Sequence, residues 1–571
     1  MLEIPVLIVG AGPVGVSAAH MLSGLGVSSL IVERRLERST APKAHAVNSR
    51  TLEICEQIGI SAQSIREAGA NAEAAGWVRF VTELTGPSFG VLPYERQGDT
   101  ALADTPFPLT NIAQPRFESL LSEKLENCSN VSMWRGCQLL DYVETDAGII
   151  STVQMRGATQ PVQIRSQYVI AADGAGSTLR KLAGVALEGI ANLDSFLMIH
   201  FEADLTALVE ERPGVLYFLL NQDASGVLIC YEADKTWVLM HSYDPTQETV
   251  ADYDVVRTSA LVEKAVGASV PDLKMRNVSP WSMCAEVAES YRKGRVFFVG
   301  DAAHRFPPTG GLGLNTGIGD VHNLCWKLAR ALNGTADDAL LDTYQTERRP
   351  VAEINTTQSL ENASTLLHLL GALFAGDGPE ADAHFLARKA APEKFPEIAE
   401  AVEMQRAHFD SFNLQIGYRY TSDALIDPAP QAQSADVPTS HYTPTYDVGV
   451  RLPHWWVERS GERQSSHSLL SPLTFTLLVG PDALPLFDAE KTTARPFTLL
   501  AEEKDFTSSA PKWVARTGLG ASGALLIRPD GHIAWRCDAL PSNPSLYVED
   551  RIGEILTASP VSAFLAKEGN A

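Results

Sequence analysis

Residues Pro5–Val9 form an unbroken apolar run that enters the turn Gly10-Ala-Gly12-Pro13-Val-Gly15. A helical pattern follows to about Leu25, and a second apolar strand, beginning at Ser29, ends in Glu33. A strand that passes through three spaced glycines into a helix, then returns as a strand, predicts a βαβ unit built to receive a dinucleotide. Gly10 permits the tight turn, Gly12 lets a pyrophosphate approach the backbone, and Gly15 allows the helix to pack on the strand. Glu33 lies 18 positions beyond Gly15, close to the spacing of an acid that binds a ribose. This unit alone does not separate FAD from NAD.

The arrangement recurs twice. Tyr168–Ala172 reads as a buried strand ending in Asp173-Gly174, with Ser177 as the cap of a following helix. Val296–Val299 ends in Gly300-Asp301, and the loop Pro307-Pro308-Thr-Gly-Gly311-Leu-Gly313 leads into another helix. There Leu314, Ile318, Val321, Leu324, Cys325, Leu328 and Leu332 recur at three- and four-residue steps until Gly334 stops the pattern. A carboxylate at a strand end accepts hydrogen bonds from two hydroxyls, which suits a polyol. The loop glycines let the backbone approach a flat ring. The helix start at Gly313, Leu314 and Asn315 offers free N–H groups and a positive dipole end to a ring that must carry negative charge. An extended ligand with a hydroxylated chain and a reducible ring fits all three turns, and that describes a flavin.

At 571 residues the chain exceeds one hydrophobic core and predicts two to four domains. A net charge of −23 argues against nucleic acid or an anionic membrane as partner. The apolar N-terminal run has no basic region before it and is too short and glycine-rich to span a membrane. The seven cysteines are scattered, with no C-x-x-C pair and no metal-ligand spacing, which fits reduced thiols in the cytoplasm and no metal site.

The motifs, in this order, resemble those of the class A FAD-dependent aromatic hydroxylases, whose hallmarks are an N-terminal GxGxxG, a central DG and a later GD. Within that class the chain is most similar to the phenol hydroxylase, chlorophenol monooxygenase and polyketide hydroxylase branch. It shares the run Pro307–Asp320 and the segment Leu340-Leu-Asp-Thr-Tyr344-x-x-Glu347-Arg348. Pro42-Lys-Ala-His45 before Arg50-Thr51 is similar to the chlorophenol subgroup.

The resemblance implies a cycle in which NADPH or NADH reduces FAD, O2 adds at the flavin C4a position, and the hydroperoxide hydroxylates a small activated aromatic substrate. Gly10, Gly12, Pro13, Gly15, Glu33 and Arg34 would serve the adenosine and pyrophosphate end. Arg50, Gln114 and Arg116, read from the residues alone as either FAD contacts or surface and capping groups, would hold other parts of the cofactor. Asp173, Gly174, Gly300 and Asp301 would meet its middle, and Pro308, Gly311, Gly313, Leu314 and Asn315 its ring. Pro307 would lie near the reacting face. His45 would act as base on the substrate hydroxyl, since a neutral imidazole takes a proton near neutrality. Tyr217, with Tyr231, His200 and His241, is a candidate for the substrate pocket, and His304 reads as structural.

The implied fold is α/β: a glutathione-reductase-type FAD domain with an interleaved antiparallel substrate sheet, a helical segment and a thioredoxin-like C-terminal domain. The expected boundaries are 1–185 and 281–350 for the FAD domain, and 186–280 for the substrate sheet. Residues 351–426 would be helical with a break at Pro350, 427–441 a linker, and 442–571 the last domain. Without C-x-x-C that last domain would serve packing or a homodimer rather than redox exchange. Baeyer–Villiger or epoxidation chemistry on a polyketide is the alternative on the same scaffold. A halogenase or reductase, and a flavin-binding protein without turnover, are the further alternatives.

Overall fold

The computed structural model describes all residues except 39, 222–223, 375–378, 429–438, 490–494, 510 and 559–571. Most of the expected linker falls outside the described residues.

The first strand, Leu2–Val9, pairs in parallel with Ser29–Glu33 on one side and Val162–Ala171 on the other. Val162–Ala171 pairs in parallel with Val296–Phe298. Val6, Leu7 and Ile8 are fully buried, as strands covered on both faces must be. Parallel pairing brings the turns at Gly10, Asp173 and Gly300 to one carboxyl edge. The hairpin Cys137–Thr145/Gly148–Met155 grows from this sheet by antiparallel pairing with Val162–Ser166.

A second, eight-stranded sheet carries Leu187–Glu202, Thr236–Ser242, Gly226–Glu232 and Leu216–Leu219 in spatial order, with Lys274–Ala288 beyond Leu187–Glu202. Its far edge departs from the expected division. Trp77–Val81 and Ser88–Pro93, read from the sequence as part of 1–185, extend this sheet, and Trp77–Val81 pairs in parallel with Leu216–Leu219. The partner lies far along the chain, so nothing local to Trp77–Val81 announces it.

The helix Ala339–Leu373 runs without interruption through Pro350, which corrects the expected break. An interior proline costs about 3 kcal/mol. Here Glu347 and Arg348 before it and Val351, Ala352 and Asn355 after it are buried, and this anchoring on both sides outweighs the lost bond.

A four-stranded sheet near the C-terminus runs Phe497–Ala501, Phe475–Val479, Ala524–Ile527, Ile533–Cys537. The first pair is parallel and the rest antiparallel. Its core takes in Trp326, Leu340 and Val351, so it packs directly on the helices that follow the Gly300-Asp301 turn. Among the described residues no helix is long and apolar enough to cross a membrane.

Candidate functional site

One cavity of about 1590 Å³ runs along the carboxyl edge of the first sheet and under the second. Gly10, Gly12, Pro13, Glu33 and Arg34 line one end. Asp173, Gly174, Asp301, Pro307, Pro308, Gly311, Gly313 and Leu314 line the middle. The far end is apolar, with Leu216, Phe218, Val227, Ile229 and Met240 from the second sheet and Leu366, Leu367 and Leu370 from the long helix.

The glycines divide by what they do. Gly10 has φ +108°, and a Cβ there would lie 2.2 Å from the Ala172 carbonyl oxygen. A Cβ on Gly15 would lie 2.1 Å from the Gly10 carbonyl oxygen, so Gly15 sets helix–strand packing and does not line the cavity. Gly12, Gly174 and Gly313 all line the cavity, and a Cβ on any of them would meet nothing within 4 Å. Their missing side chains leave a backbone-walled trough.

The carboxylates along the trough differ in what they already hold. Glu33 accepts from the N–H groups of Ala11 at 2.9 Å and Arg35 at 2.8 Å, bracing the glycine turn. Asp173 Oδ2 accepts from Thr178 N–H at 2.6 Å and Leu179 N–H at 3.2 Å, while its Oδ1 is buried with no partner. Asp301 lines the cavity and makes no hydrogen bond among the described residues. An orphaned buried acceptor, a bare carboxylate and a glycine trough ending at a helix N-terminus match the hydroxyls, phosphates and electron-poor ring of FAD. The residues fit that cofactor.

Besides Gly15, five of the expected site residues are not among those lining the cavity. Gly300, at φ +55°, donates its N–H to Asp320 Oδ2 at 3.1 Å and makes the turn that presents Asp301. Arg50 is buried away from the trough, donating to Asp530 O at 2.9 Å and pairing with Glu53 at 3.2 Å. Arg116 is exposed on the outer side of the helix Gln114–Leu125. The Asn315 side chain is spent on protein contacts, accepting from Asn48 N–H and Thr51 Oγ1–H and donating to Ala46 O and Gly311 O; these bonds do not involve its main-chain N–H, the group expected to face the ring at the helix start. Tyr217 points to the opposite face of its strand, where its hydroxyl donates to Arg212 O at 3.0 Å and its ring packs beside Trp237. Its neighbours Leu216 and Phe218 line the cavity instead, as strand alternation requires.

Gln114 does line the cavity, although its Oε1 accepts from Ala44 N–H at 3.2 Å and its Nε2 donates to Glu118 at 2.7 Å. Pro307 lines the cavity. His45 lines the cavity with its Nδ1 2.8 Å from Asn111 Oδ1 and the rings of Tyr94 and Tyr231 at 5.5 and 6.3 Å. Burial holds its pKa below the usual histidine value, outweighing the bond to Asn111, so the ring is neutral near pH 7. His200 lines the cavity, whereas His241 turns to Ser225 O. His304 is structural as expected, fully buried with Nε2 2.8 Å from Asp320 Oδ2. Sequence reasoning missed His408, which lines the chamber with its Nδ1 buried and unpartnered and its ring stacked on Phe409 at 4.1 Å.

Residues 3–359 match the family model described as FAD binding domain, and residues 445–556 match aromatic-ring hydroxylase, C-terminal. The tetracenomycin B2 monooxygenase-dioxygenase of Streptomyces olivaceus is 33% identical over 97% of this chain and 99% of its own length. The 2,4-dichlorophenol 6-monooxygenase of Cupriavidus pinatubonensis is 29% identical over 98% of this chain and 96% of its own. Among solved structures, the flavin-dependent monooxygenase PieE with FAD and substrate superposes with a TM-score of 0.88 at 31% identity, covering 97% of this chain and 99% of that one. Motifs, trough and relatives agree: the chain belongs to the FAD-dependent aromatic-ring hydroxylases.

Proposed function

We propose that the protein is a monooxygenase that uses NADPH or NADH and O2 to hydroxylate a phenolic ring within a polycyclic aromatic substrate. The observation that carries this reading is the continuity of one cavity from the glycine trough, past Asp173 and Asp301, into an apolar chamber with His45 on its wall. Leu216, Phe218, Val227 and Met240 line much of that chamber, which suits a broad flat ring system over a small polar one. Relatives named for tetracenomycins and a structural neighbour bound to aklavinone support the same size class.

Bound FAD supplies the redox chemistry that activates oxygen. The chain's own residues do the rest. Gly12, Gly174 and Gly313 let the backbone close on the cofactor, Asp173 and Asp301 accept from its hydroxyls, and the N–H groups at the start of the Gly313–Leu332 helix stabilise negative charge on its ring. The apolar wall orients the substrate and excludes water. His45 takes the phenolic proton, and an electron-rich phenolate is the better acceptor of electrophilic oxygen.

The domain division expected from the sequence is retained as a proposal, with 77–93 added to the substrate sheet. The mixed four-stranded sheet near the C-terminus supports a thioredoxin-like reading of 442–571. Seven free thiols support a reducing cytoplasmic setting, and a homodimer follows from the family resemblance.

The test follows NADPH or NADH oxidation by the yellow holoprotein against monocyclic phenols and polycyclic phenols, with product mass measured under labelled O2. Substrate-stimulated oxidation with one labelled oxygen in a ring hydroxyl of a polycyclic product is the expected result. Oxygen inserted into a ring C–C bond would replace hydroxylation by a Baeyer–Villiger reaction. Oxidation coupled only to monocyclic phenols would overturn the size class.

A further inference from the structure

Gln97 and Asn111 touch neither the trough nor the chamber, yet they determine which nitrogen of His45 can accept a proton. Both are buried, at 8% and 3% exposure. Gln97 Nε2 donates to Tyr94 O at 2.8 Å and Ala75 O at 3.0 Å. Main-chain carbonyls only accept, so the amide nitrogen must face them and Gln97 Oε1 must face Asn111. Asn111 Nδ2 donates to that Oε1 and to Ala75 O, each at 3.2 Å. Asn111 Oδ1 is therefore left toward His45 Nδ1 at 2.8 Å, and an amide oxygen can only accept. His45 Nδ1 must carry a hydrogen.

The backbone repeats the tie. Ile112 N–H donates to His45 O at 2.7 Å, and Ala46 pairs with Asn111 in a two-residue ladder. Ring and main chain are thus fixed to the same short strand. The titratable groups against the ring are the phenols of Tyr94 and Tyr231, which burial keeps neutral by pushing them above their ordinary values. Lys43, two positions before His45, also lines the cavity.

We propose that Gln97 and Asn111 are positioning residues that lock His45 in the Nδ1–H tautomer and leave Nε2 as the proton acceptor on the chamber wall. The inference rests on the reading of His45 as base. In the step, the substrate O–H bond breaks, its electron pair stays on oxygen as phenolate, and the proton goes to Nε2. The resulting imidazolium keeps its Nδ1–H on Asn111. The hydroxylated ring carbon then releases its hydrogen as a proton to solvent, the C–H electron pair re-enters the ring and restores aromaticity, and Nε2–H returns a proton to the substrate oxygen, so that His45 is restored.

The test uses FAD-loaded enzyme labelled with 15N-histidine, with His45 assigned from its loss in His45→Gln. Wild type is expected to give the neutral Nδ1–H pattern. Asn111→Leu removes the acceptor, so the Nε2–H tautomer appears and kcat falls by about tenfold or more, with KM and bound FAD unchanged. Asn111→Asp keeps an acceptor and rescues the tautomer, and its charge moves the acid limb of kcat up by about one pH unit. If Asn111→Leu does not fold, Gln97→Met frees the Asn111 amide without touching the ring and is read in the same way. A wild-type Nε2–H pattern, or an Asn111→Asp acid limb that does not move, overturns the inference. Unchanged turnover in His45→Ala removes His45 as base, while the tautomer measurement decides the positioning claim by itself.

Discussion

Arg528 and Glu347 stand 181 positions apart, and two N–H···O bonds of 2.6 and 2.9 Å join them with neither side chain exposed. The same carboxylate accepts from Lys327 Nζ at 2.7 Å, and Arg528 also pairs with Asp530. Lys327 lies on the helix that begins at the trough, so this cluster fastens the C-terminal sheet to the cofactor-facing helix. The guanidinium and ammonium hold the Glu347 carboxyl down to about 2, against the opposing effect of burial. Glu347→Ala leaves two buried cations short of a carboxylate, and we expect a loss of about 3–5 kcal/mol in chemical denaturation.

The two kinds of glycine predict opposite phenotypes. Gly12→Val adds atoms only to the trough, so the protein should keep its melting temperature and lose bound FAD. Gly10→Ala drives a Cβ to 2.2 Å from Ala172 O at φ +108°, so about 1–3 kcal/mol of backbone strain alone should lower stability before any cofactor is added. Thermal denaturation and flavin absorbance, measured together, separate the two.

Adjacent residues on one strand should also differ. Tyr217→Phe removes a hydrogen bond to Arg212 O on the closed face, which costs about 0.5–1.5 kcal/mol of stability and leaves kcat unaltered. Phe218→Ala removes about 1.5–3 kcal/mol of apolar contact from the chamber wall, which corresponds to roughly a ten- to hundredfold fall in kcat/KM. Steady-state kinetics on the same substrate checks both.

Acid and base should weaken the fold for different reasons. Burial lowers His408 to about 3 and His467 and His532 to about 4, from 6.5. The unfolded chain protonates these rings first, so their contribution is present above pH 6.5 and is lost as pH falls toward 4. Burial raises Glu95 from 4.5 to about 8, so the unfolded chain ionises first and stability drains as pH rises through that window. The melting temperature of Glu95→Gln relative to wild type should therefore climb between about pH 5 and about pH 9. A flat difference would show that the Glu95 carboxyl titrates normally.

The cofactor turns were legible because strand, glycine turn and helix are contiguous, and each glycine answers a local steric demand. The chamber was not. All four residues of Leu216–Leu219 are buried, so no alternation of polar and apolar residues distinguishes the Phe218 face from the Tyr217 face. Arg50 failed for a similar reason: its helix is buried from Ser49 to Cys55, which hides the direction of any one side chain. Its partner Asp530 lies in a hairpin near the far end of the chain, whose Asp-Gly turn was readable but whose burial was not. Trp77–Val81 and Pro350 likewise depended on partners distant in sequence.

The cofactor sheet takes its first strand from Leu2–Val9 and its last from Val296–Phe298, and the helix beside the trough is held through Glu347 by Arg528. Synthesis in chain order therefore delivers the glycine turn at Gly10 long before the fastener at Arg528. A chain cut short before Arg528 leaves Glu347 and Lys327 without the guanidinium that completes their cluster.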